Sequence, residues 1–409
     1  MSAPVAAVPE SVIGAMAAVV GRSHCVSEPE QLRTYECDGL TSFRARPGLV
    51  VLPGSTEEVS RVVKLAAAAG LSIVARGAGT GLSGGALPVP GCVVLGLSRM
   101  KRILEVDLEN GWMRVEPGVI NLEVSRRLSP SGYYYAPDPS SQGVCTIGGN
   151  VAENSGGAHC LKYGFTVNHV LGARLVLGDG SVVDLGGPVP DAPGYDLLGV
   201  LVGSEGMLGI VTEVVLRILR KPEATRTFFA TFPSTDEAGH AVSAIIASGI
   251  VPAAIEMMDR LAIIAAKAAT GVDWPDVGAA LLMDVDGPLA EVEHTSESAT
   301  RLAAAAGALE IRRPRDEAER QLMWKGRKSA FAAVGRISPN YIVQDGVIPR
   351  SQIAPVLREI EGLAERAGLR VANVFHAGDG NLHPLVLYDA RVPGEEKRAE
   401  ELGGEILRI

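Results

Sequence analysis

Residues 72–85 read Ser-Ile-Val-Ala-Arg-Gly-Ala-Gly-Thr-Gly-Leu-Ser-Gly-Gly, a β-branched run that passes straight into a glycine-dense loop. Glycine has no Cβ, so the amides of such a loop can turn inward and come close to a ligand. Successive inward N–H groups form a concave nest suited to phosphate oxygens. A Walker loop is excluded, because no Gly-Lys pair follows Gly77 at the required spacing. The letters G-x-G-x-x-G occur at Gly79–Gly84, but the context is wrong for a Rossmann unit. Leu87-Pro88-Val89-Pro90 follows, then the strand-like Cys92–Leu97, and two prolines so close oppose the helix that a Rossmann turn opens. The nest therefore points to a dinucleotide fold of another kind.

The rest of the chain sets the scale. Its 409 residues allow two or three domains of about 150 residues. A net charge of −9 argues against a nucleic-acid partner and leaves room for a local positive site that takes a small anion. Cys25, Cys37, Cys92, Cys145 and Cys160 are odd in number and form no C-x-x-C pair, as expected of reduced thiols in a cytoplasmic protein. Met1–Pro4 shows no basic n-region of a signal peptide, and no apolar run approaches the ~20 residues that span a bilayer.

Taken in order, residues 1–45 read as an N-terminal helical segment, with a helix over Pro9–Val20. Residues 46–221 read as β-α-β leading into the glycine loop: a buried strand at Leu49–Pro53, a helix opened by Ser55 and closed at Gly70, then the strand that delivers the nest. Strands at Val93–Leu97, Ile103–Val106 and Trp112–Val115, a short helix at Asn121–Leu128, a hairpin turning at Asp179-Gly180 and a strand at Ile210–Ile218 complete it. Lys221-Pro222 is the best boundary. Residues 222–409 alternate Ala-rich helices (240–248, 261–269, 291–306, 316–334) with strands (227–232, 254–258, 280–285, 341–347). That pattern predicts an antiparallel sheet with helices on one side.

Two further stretches carry chemistry. Ala136–Ser141, Cys145–Asn150 and Glu153–Gly157 concentrate small and hydroxyl residues, which lets a large planar ligand approach the backbone. Phe375-His376-Ala377-Gly378-Asp379-Gly380-Asn381-Leu382-His383-Pro384 places two histidines either side of a tight Asp-Gly turn, so they can meet on facing strands. Imidazoles so placed either bind a divalent ion or pair structurally.

Arg76–Gly85 resembles the pyrophosphate loop of flavoproteins of the vanillyl-alcohol oxidase type, which have an FAD-binding PCMH-type domain. With H-x-G-D-G-N-x-H at His376–His383, the chain from about Leu49 to Ile409 resembles the FAD-linked subunit of glycolate oxidase and its relatives, the D-lactate and D-2-hydroxyglutarate dehydrogenases. The resemblance implies an α+β protein: a PCMH-type domain followed by a β/α substrate-covering (cap) domain. It implies FAD held by Arg76, Gly77, Ala78, Gly79, Thr80, Gly81, Ser83, Gly84, Pro137, Asp138, Cys145, Thr146, Gly148, Gly149, Asn150, Ser155 and Gly156. Glu205, Gly206, Gly209 and Ile210 would serve its adenine and ribose end. It also implies a metal, Zn or Mn, on His376 and His383, and Arg327 on the substrate carboxylate. The expected reaction is oxidation of an (R)-2-hydroxy acid, glycolate or D-lactate, by hydride transfer to flavin N5, with electrons passed to an iron–sulfur partner or quinone. Such a protein would be cytoplasmic, or peripheral at the inner membrane through partners.

Arg76–Gly85 contains no histidine, so the flavin is expected to be non-covalent, with Cys145 and His159 the other possible anchors. His159 could equally line the active site or be a core histidine; His24, His169, His240 and His294 carry no pattern. Lys325 and Lys328 are expected to be exposed. Relatives continue into a G-E-H-G-x-G motif whose glutamate is the third metal ligand, and no Glu-His-Gly occurs in this sequence. The chain is therefore expected to be C-terminally truncated. The alternative function is that of a flavin-binding but catalytically incomplete subunit.

Overall fold

The computed structural model describes residues 8–40 and 42–409, and the strands named here are those of the described residues. The reading of Met1–Pro4 lies outside them. The chain forms two compact units: the chain through Gly157 with Gly164–Lys221, and Ala158–Tyr163 with Pro222–Ile409.

The first unit opens with helix α1 (Glu10–Val20), which buries Met16 and Val20. Strands β1 (Cys25–Val26), β2 (Leu49–Val51), β3 (Ile73–Arg76) and β4 (Val93–Gly96) form a sheet in the order β1-β2-β4-β3. β2 and β3 both run parallel to β4. Parallel strands need a crossover, and helix α2 (Thr56–Ala68) provides it. Ser55 caps α2 by accepting from the Glu58 amide at 3.3 Å, and Glu58 reaches back to the Gly54 amide at 2.7 Å. Its buried face is Val59, Val62, Val63 and Ala66, packed with Leu49 and Val51, while Val50 enters a second cluster with Leu32, Cys92 and Val94.

A second, antiparallel sheet contains β5 (Ile103–Asp107), β6 (Trp112–Val115), β7 (Val170–Val176), β8 (Val182–Gly186) and β9 (Ile210–Arg217), in the order β5-β6-β9-β7-β8. Helices α3 (Asn121–Leu128) and α4 (Ile147–Glu153) pack Val124, Leu128, Ile147 and Val151 against it. The β7–β8 hairpin turns at Asp179-Gly180, as its sequence predicts.

In the second unit the antiparallel strands are β10 (Ala224–Phe232), β11 (Ala254–Asp259), β12 (Ala279–Gly287), β13 (Glu310–Arg312), β14 (Asn340–Val343), β15 (Gly346–Val347), β16 (Arg370–His376), β17 (Asn381–Leu382) and β18 (Pro384–Tyr388). The main path is β13-β10-β12-β11-β16-β17-β15, and β18 pairs with both β14 and β16. The expectation of helices on one side is overturned. α6 (Arg260–Thr270) and α8 (Glu317–Ala333) cover one face. α5 (Thr235–Ala247), α7 (Leu289–Ala305) and α9 (Ile353–Ala367) cover the other. The reason is visible in β10 and β12, which are apolar on both faces: Phe228, Ala230 and Phe232 enter one core, while Phe229 stacks on Trp274 at 5.0 Å in the other. Gly326 of α8 admits that indole, since a Cβ there would lie 2.7 Å from it.

Other differences are local. The helix expected from His240 begins at Thr235, because Ser234 caps it through the Asp236 amide at 3.0 Å. The strand expected over 341–347 breaks into β14 and β15 around Gln344-Asp345, each with its own partner. α9 was not expected, although Ile353, Leu357, Ile360 and Ala364 recur on its buried face. The terminal helix α10 spans Glu395–Ile406.

Asp259 ties strand to helix. It caps α6 through the Ala262 amide at 2.9 Å and accepts from Asn373 N and Nδ2 at 2.6 and 3.0 Å. Loss of solvation pushes its carboxyl up to about 6, against those hydrogen bonds. A native value above the unfolded one means that the group's stabilisation is complete below about pH 4 and lost as pH rises through about 6. Asp259→Asn removes that titration. Compared by urea unfolding, the variant gains on the wild type by about 1–3 kcal/mol between pH 4 and 7; a gap that moves the other way would show that the amide donors outweigh desolvation.

Candidate functional site

In the first unit, β3 pairs with β4 through Arg76, whose carbonyl accepts from the Leu97 amide at 3.0 Å. Beyond it, the consecutive amides from Gly77 to Ser83 donate to no protein acceptor among the described residues. Their direction has a cause. The Thr80 and Gly81 carbonyls turn toward Gly39, where a Cβ would lie 2.9 and 2.6 Å from them. In a trans peptide the N–H opposes the C=O, so the Gly81 and Leu82 amides point the other way. Gly79 has φ +69°, and the Arg76 guanidinium packs on it. A Cβ on Gly77 would meet Thr146 Oγ1 at 2.3 Å. Arg76 straps the loop by donating to the Ala86 carbonyl at 3.2 Å, its guanidinium 5.8 Å from the Tyr35 ring centroid. A half-exposed row of unpaired amides fits phosphate oxygens.

The second glycine cluster is more committed to its own packing. Thr146 caps α4 at the Gly149 amide, 3.3 Å away. Gly148 lies against Pro117, with 2.6 Å to a Cβ there, and Gly157 against the Asp138 backbone at 2.5 Å. Buried Asn150 accepts from Asn121 Nδ2 at 2.9 Å and donates to Cys145 Sγ at 3.4 Å. Asn121 also binds the Pro137 carbonyl at 3.1 Å. The Ser155 carbonyl accepts the Thr166 hydroxyl at 2.7 Å, while Gly156 is half-buried beside it. Glu205 adopts φ +53° and bonds Ala152 O at 2.8 Å, which brings it beside Glu153. Burial first and Glu205 second raise the Glu153 carboxyl, and Ser83 donates to it at 3.3 Å. Gly206, Gly209 and Ile210, with Ile73 and Ala75, line a cavity of 240 Å³. Gly84, at φ +83°, closes the loop with the Leu87 turn.

In the second unit, β11 and β16 place Glu256 directly opposite His376. Glu256 is 1% exposed, and its carboxylate lies 2.8 and 3.0 Å from His376 Nδ1. Helix α8, capped by Asp316 at the Glu319 amide, brings down Arg327, 4% exposed, whose Nη2 forms an ion pair with Glu256. Neither Nε nor Nη2 of Arg327 has a hydrogen-bond acceptor among the described residues, so the contact of Nη2 with Glu256 is an ion pair only. The Asp379-Gly380 turn brings His383 edge-on to His376, with ring centroids 5.2 Å apart. His383 Nδ1 lies 3.6 Å from Asp345, a largely exposed carboxylate. Burial draws the His376 pKa down, but the charge and hydrogen bond of Glu256 outweigh it and leave it above the ordinary value. Burial, then the positive His376 and Arg327, push His383 down to about 3.

Glu256 escaped sequence reasoning, although an acid inside the apolar run Ala254–Met258 was a signal. Asp284 is a second such carboxylate, held by Thr227 at 2.5 Å and by Arg320 and Trp324 at 3.1 Å. His159 clusters with this second unit and stacks on Trp324 at 5.9 Å. Lys325 is exposed and Lys328 half-buried. Among the described residues, no group of three or more His, Cys, Asp or Glu is arranged to hold a metal ion. His376 and His383 supply two imidazoles, each with its Nδ1 turned to a carboxylate.

Two family models match the chain: an FAD binding domain over residues 47–186 and the C-terminal domain of FAD linked oxidases over 221–409. It is 50% identical to the glycolate oxidase subunit GlcD of Escherichia coli over 381 residues, 93% of this chain and 76% of that one. Identity is 38% to GlcD of Bacillus subtilis (91% and 80% covered) and 32% to a D-lactate dehydrogenase of Anaerostipes hadrus (87% and 76%). Among solved structures the fold matches an alkyldihydroxyacetonephosphate synthase with TM-score 0.83 at 19% identity, covering 100% of this chain and 82% of that one. It matches p-cresol methylhydroxylase with 0.81 at 18%, covering 97% and 86%. With a PCMH-type flavoprotein architecture, two matching family models and this identity over nearly its whole length, the chain belongs to the FAD-linked oxidoreductases that include the GlcD subunits of glycolate oxidase and the D-lactate dehydrogenases.

Proposed function

We propose that the chain oxidises an (R)-2-hydroxy acid, glycolate or D-lactate, to the 2-oxo acid. The observation that carries this reading is Arg327, a buried guanidinium with an unpaired Nε beside two histidines. Charge-assisted pairing to a carboxylate satisfies that donor. His383, uncharged across the neutral range, is a weak base whose unprotonated nitrogen can accept a hydrogen bond from the substrate hydroxyl. His376, held by Glu256, faces it. FAD, when bound, supplies the hydride acceptor at N5.

The amides of Gly77–Ser83, with Arg76 and Gly84 as the loop's ends, would hold the diphosphate of FAD without a covalent bond. Pro137, Asp138, Cys145, Thr146, Gly148, Gly149, Asn150, Ser155 and Gly156 would serve the flavin end. Glu205, Gly206, Gly209 and Ile210 would serve the adenine end, and the cavity that Gly206, Gly209 and Ile210 line supports this. A Zn or Mn ion held by His376 and His383 would take the place of that hydrogen bond to His383 and act as a Lewis acid toward the hydroxyl. The name GlcD designates a subunit, which supports a partner chain. An iron–sulfur protein or a quinone would then take the electrons, and the chain would be cytoplasmic or peripheral at the inner membrane. No helix of the described residues is long and apolar enough to cross a membrane.

A second reading, a flavin-binding but catalytically incomplete subunit, is favoured by one observation: the described residues offer no three-donor metal group. Anaerobic mixing of the FAD-loaded chain with glycolate or D-lactate separates the two. Bleaching of the flavin supports the enzyme; a flavin that stays yellow with every 2-hydroxy acid supports the incomplete subunit. In the active case Arg327→Lys lowers kcat/KM roughly 10- to 100-fold, the equivalent of one charged hydrogen bond, with FAD content unchanged. Gly79→Ala, which forces a Cβ into left-handed backbone and onto Arg76, is expected to lower stability by about 1–2 kcal/mol and to empty the chain of FAD, as read from its absorbance after gel filtration.

A further inference from the structure

We propose that Glu256 is a positioning residue: it keeps the proton of the neutral His376 ring on Nδ1 and holds Arg327 through the buried ion pair at Nη2, so that His376 Nε2 and the Arg327 donors without a hydrogen-bond acceptor, Nε and Nη2, are left to meet a ligand. Three observations converge on it. Glu256 and His376 are register partners on adjacent antiparallel strands, so both side chains leave the same face of the sheet. Both carboxylate oxygens lie within hydrogen-bond distance of Nδ1. An ionised carboxylate has no proton to give, so the ring nitrogen that faces it must be the donor. The third is the buried pair with Arg327, delivered from helix α8.

The other carboxylates near these rings do not share the role. Asp345 sits 3.6 Å from His383 Nδ1, beyond a hydrogen bond, and is 67% exposed. Asp379, whose charge also acts on His376, accepts from the Asn381 amide at 3.2 Å within its own turn. Glu256 alone among them touches two of the groups assigned to the substrate. A carboxylate behind an imidazole fixes both the tautomer and the ring orientation, and a guanidinium pinned at one end presents the other end in a set direction.

The consequence for catalysis rests on the reading of Arg327 and His376 given above; the placement of the proton does not. The test therefore uses the full chain without substrate. The histidines are labelled with ¹⁵N, and the His376 ring is assigned by its loss in His376→Asn. Spectra are taken at a pH above the His376 titration. The wild type should show the pattern of a ring protonated at Nδ1. Glu256→Gln, whose amide oxygen still accepts from Nδ1–H, should keep it. Glu256→Leu should lose it, giving the Nε2–H form or a mixture. Because Glu256→Leu strands a buried guanidinium, the double variant Glu256→Leu/Arg327→Met, which removes both charges, is read in parallel, with the same loss expected. The Arg327 Nη signals should be resolved in the wild type, where the ion pair restricts guanidinium rotation, and merged in Glu256→Gln.

An Nε2–H pattern in the wild type, an Nδ1–H pattern that survives in the folded double variant, or merged Arg327 signals in the wild type would each overturn the assignment. A chain whose flavin no 2-hydroxy acid bleaches, yet whose His376 shows the Nδ1–H pattern, upholds Glu256 while refuting the enzyme reading.

Discussion

Folded chains pair nearly every backbone amide, and the stretch from Gly77 to Ser83 does not. That exception is the constraint around which the first unit is arranged. The strand before it is locked by a parallel partner, so the loop starts from a defined direction. Arg76 reaches across to Ala86 and ties the two ends together. Gly39 lies so close to the Thr80 and Gly81 carbonyls that a side chain there would displace them. The glycines of the loop and of its neighbours thus serve different ends. Gly79 supplies a left-handed turn, Gly39 and Gly77 supply close approach, and Gly148 and Gly157 are packing requirements of the scaffold. A loop of this kind remains half-exposed, because unpaired amides can persist where water or a ligand reaches them and not in a dry core.

The second unit solves a different problem. Its central sheet carries two carboxylates, Glu256 and Asp284, each almost wholly buried. An isolated buried charge costs several kcal/mol, and pairing alone often does no more than offset this. Both acids are answered by one helix. Arg320, Trp324 and Arg327 recur on α8 at the spacing of a single helical face, the first two serving Asp284 and the last serving Glu256. The two ends of this row differ in completeness. Asp284 takes a hydroxyl, an indole N–H and a guanidinium, whereas Arg327 is left with an open Nε. Structural ion pairs close their valences; a ligand site keeps one open.

What the sequence made legible follows the same division. The nest, the strand that feeds it, the β7–β8 hairpin and the pairing of His376 with His383 are consequences of contiguous residues, and short-range chemistry dictates them. The side-chain partners of Asn150 and Cys145 lie within the same unit but far along the chain in the case of Asn121, so no local pattern announces them. Glu256 is more than a hundred residues from His376, joined by strand register that no single stretch encodes. The error over helix placement had another origin. Alternation of helix and strand was read as a one-sided layer, but strands such as Phe228–Phe232 are apolar on both faces and so call for cover on both.

The electrostatics of the second site also separate it from the charge of the whole. The chain is acidic, at −9, so no general field draws an anion in. What can hold one is local: a guanidinium that cannot lose its proton, a neighbouring histidine kept more basic by Glu256, and a second histidine kept neutral. Glu256 pairs with both cationic groups, the Arg327 guanidinium and the His376 ring. That balance suits a single carboxylate and places the neutral ring beside the uncharged hydroxyl of the same molecule. Without the glutamate, burial and the Arg327 charge would both push His376 toward its neutral form. The same residue that makes the cluster tolerable to the fold would, on the reading proposed above, hold its cations for the carboxylate of a substrate.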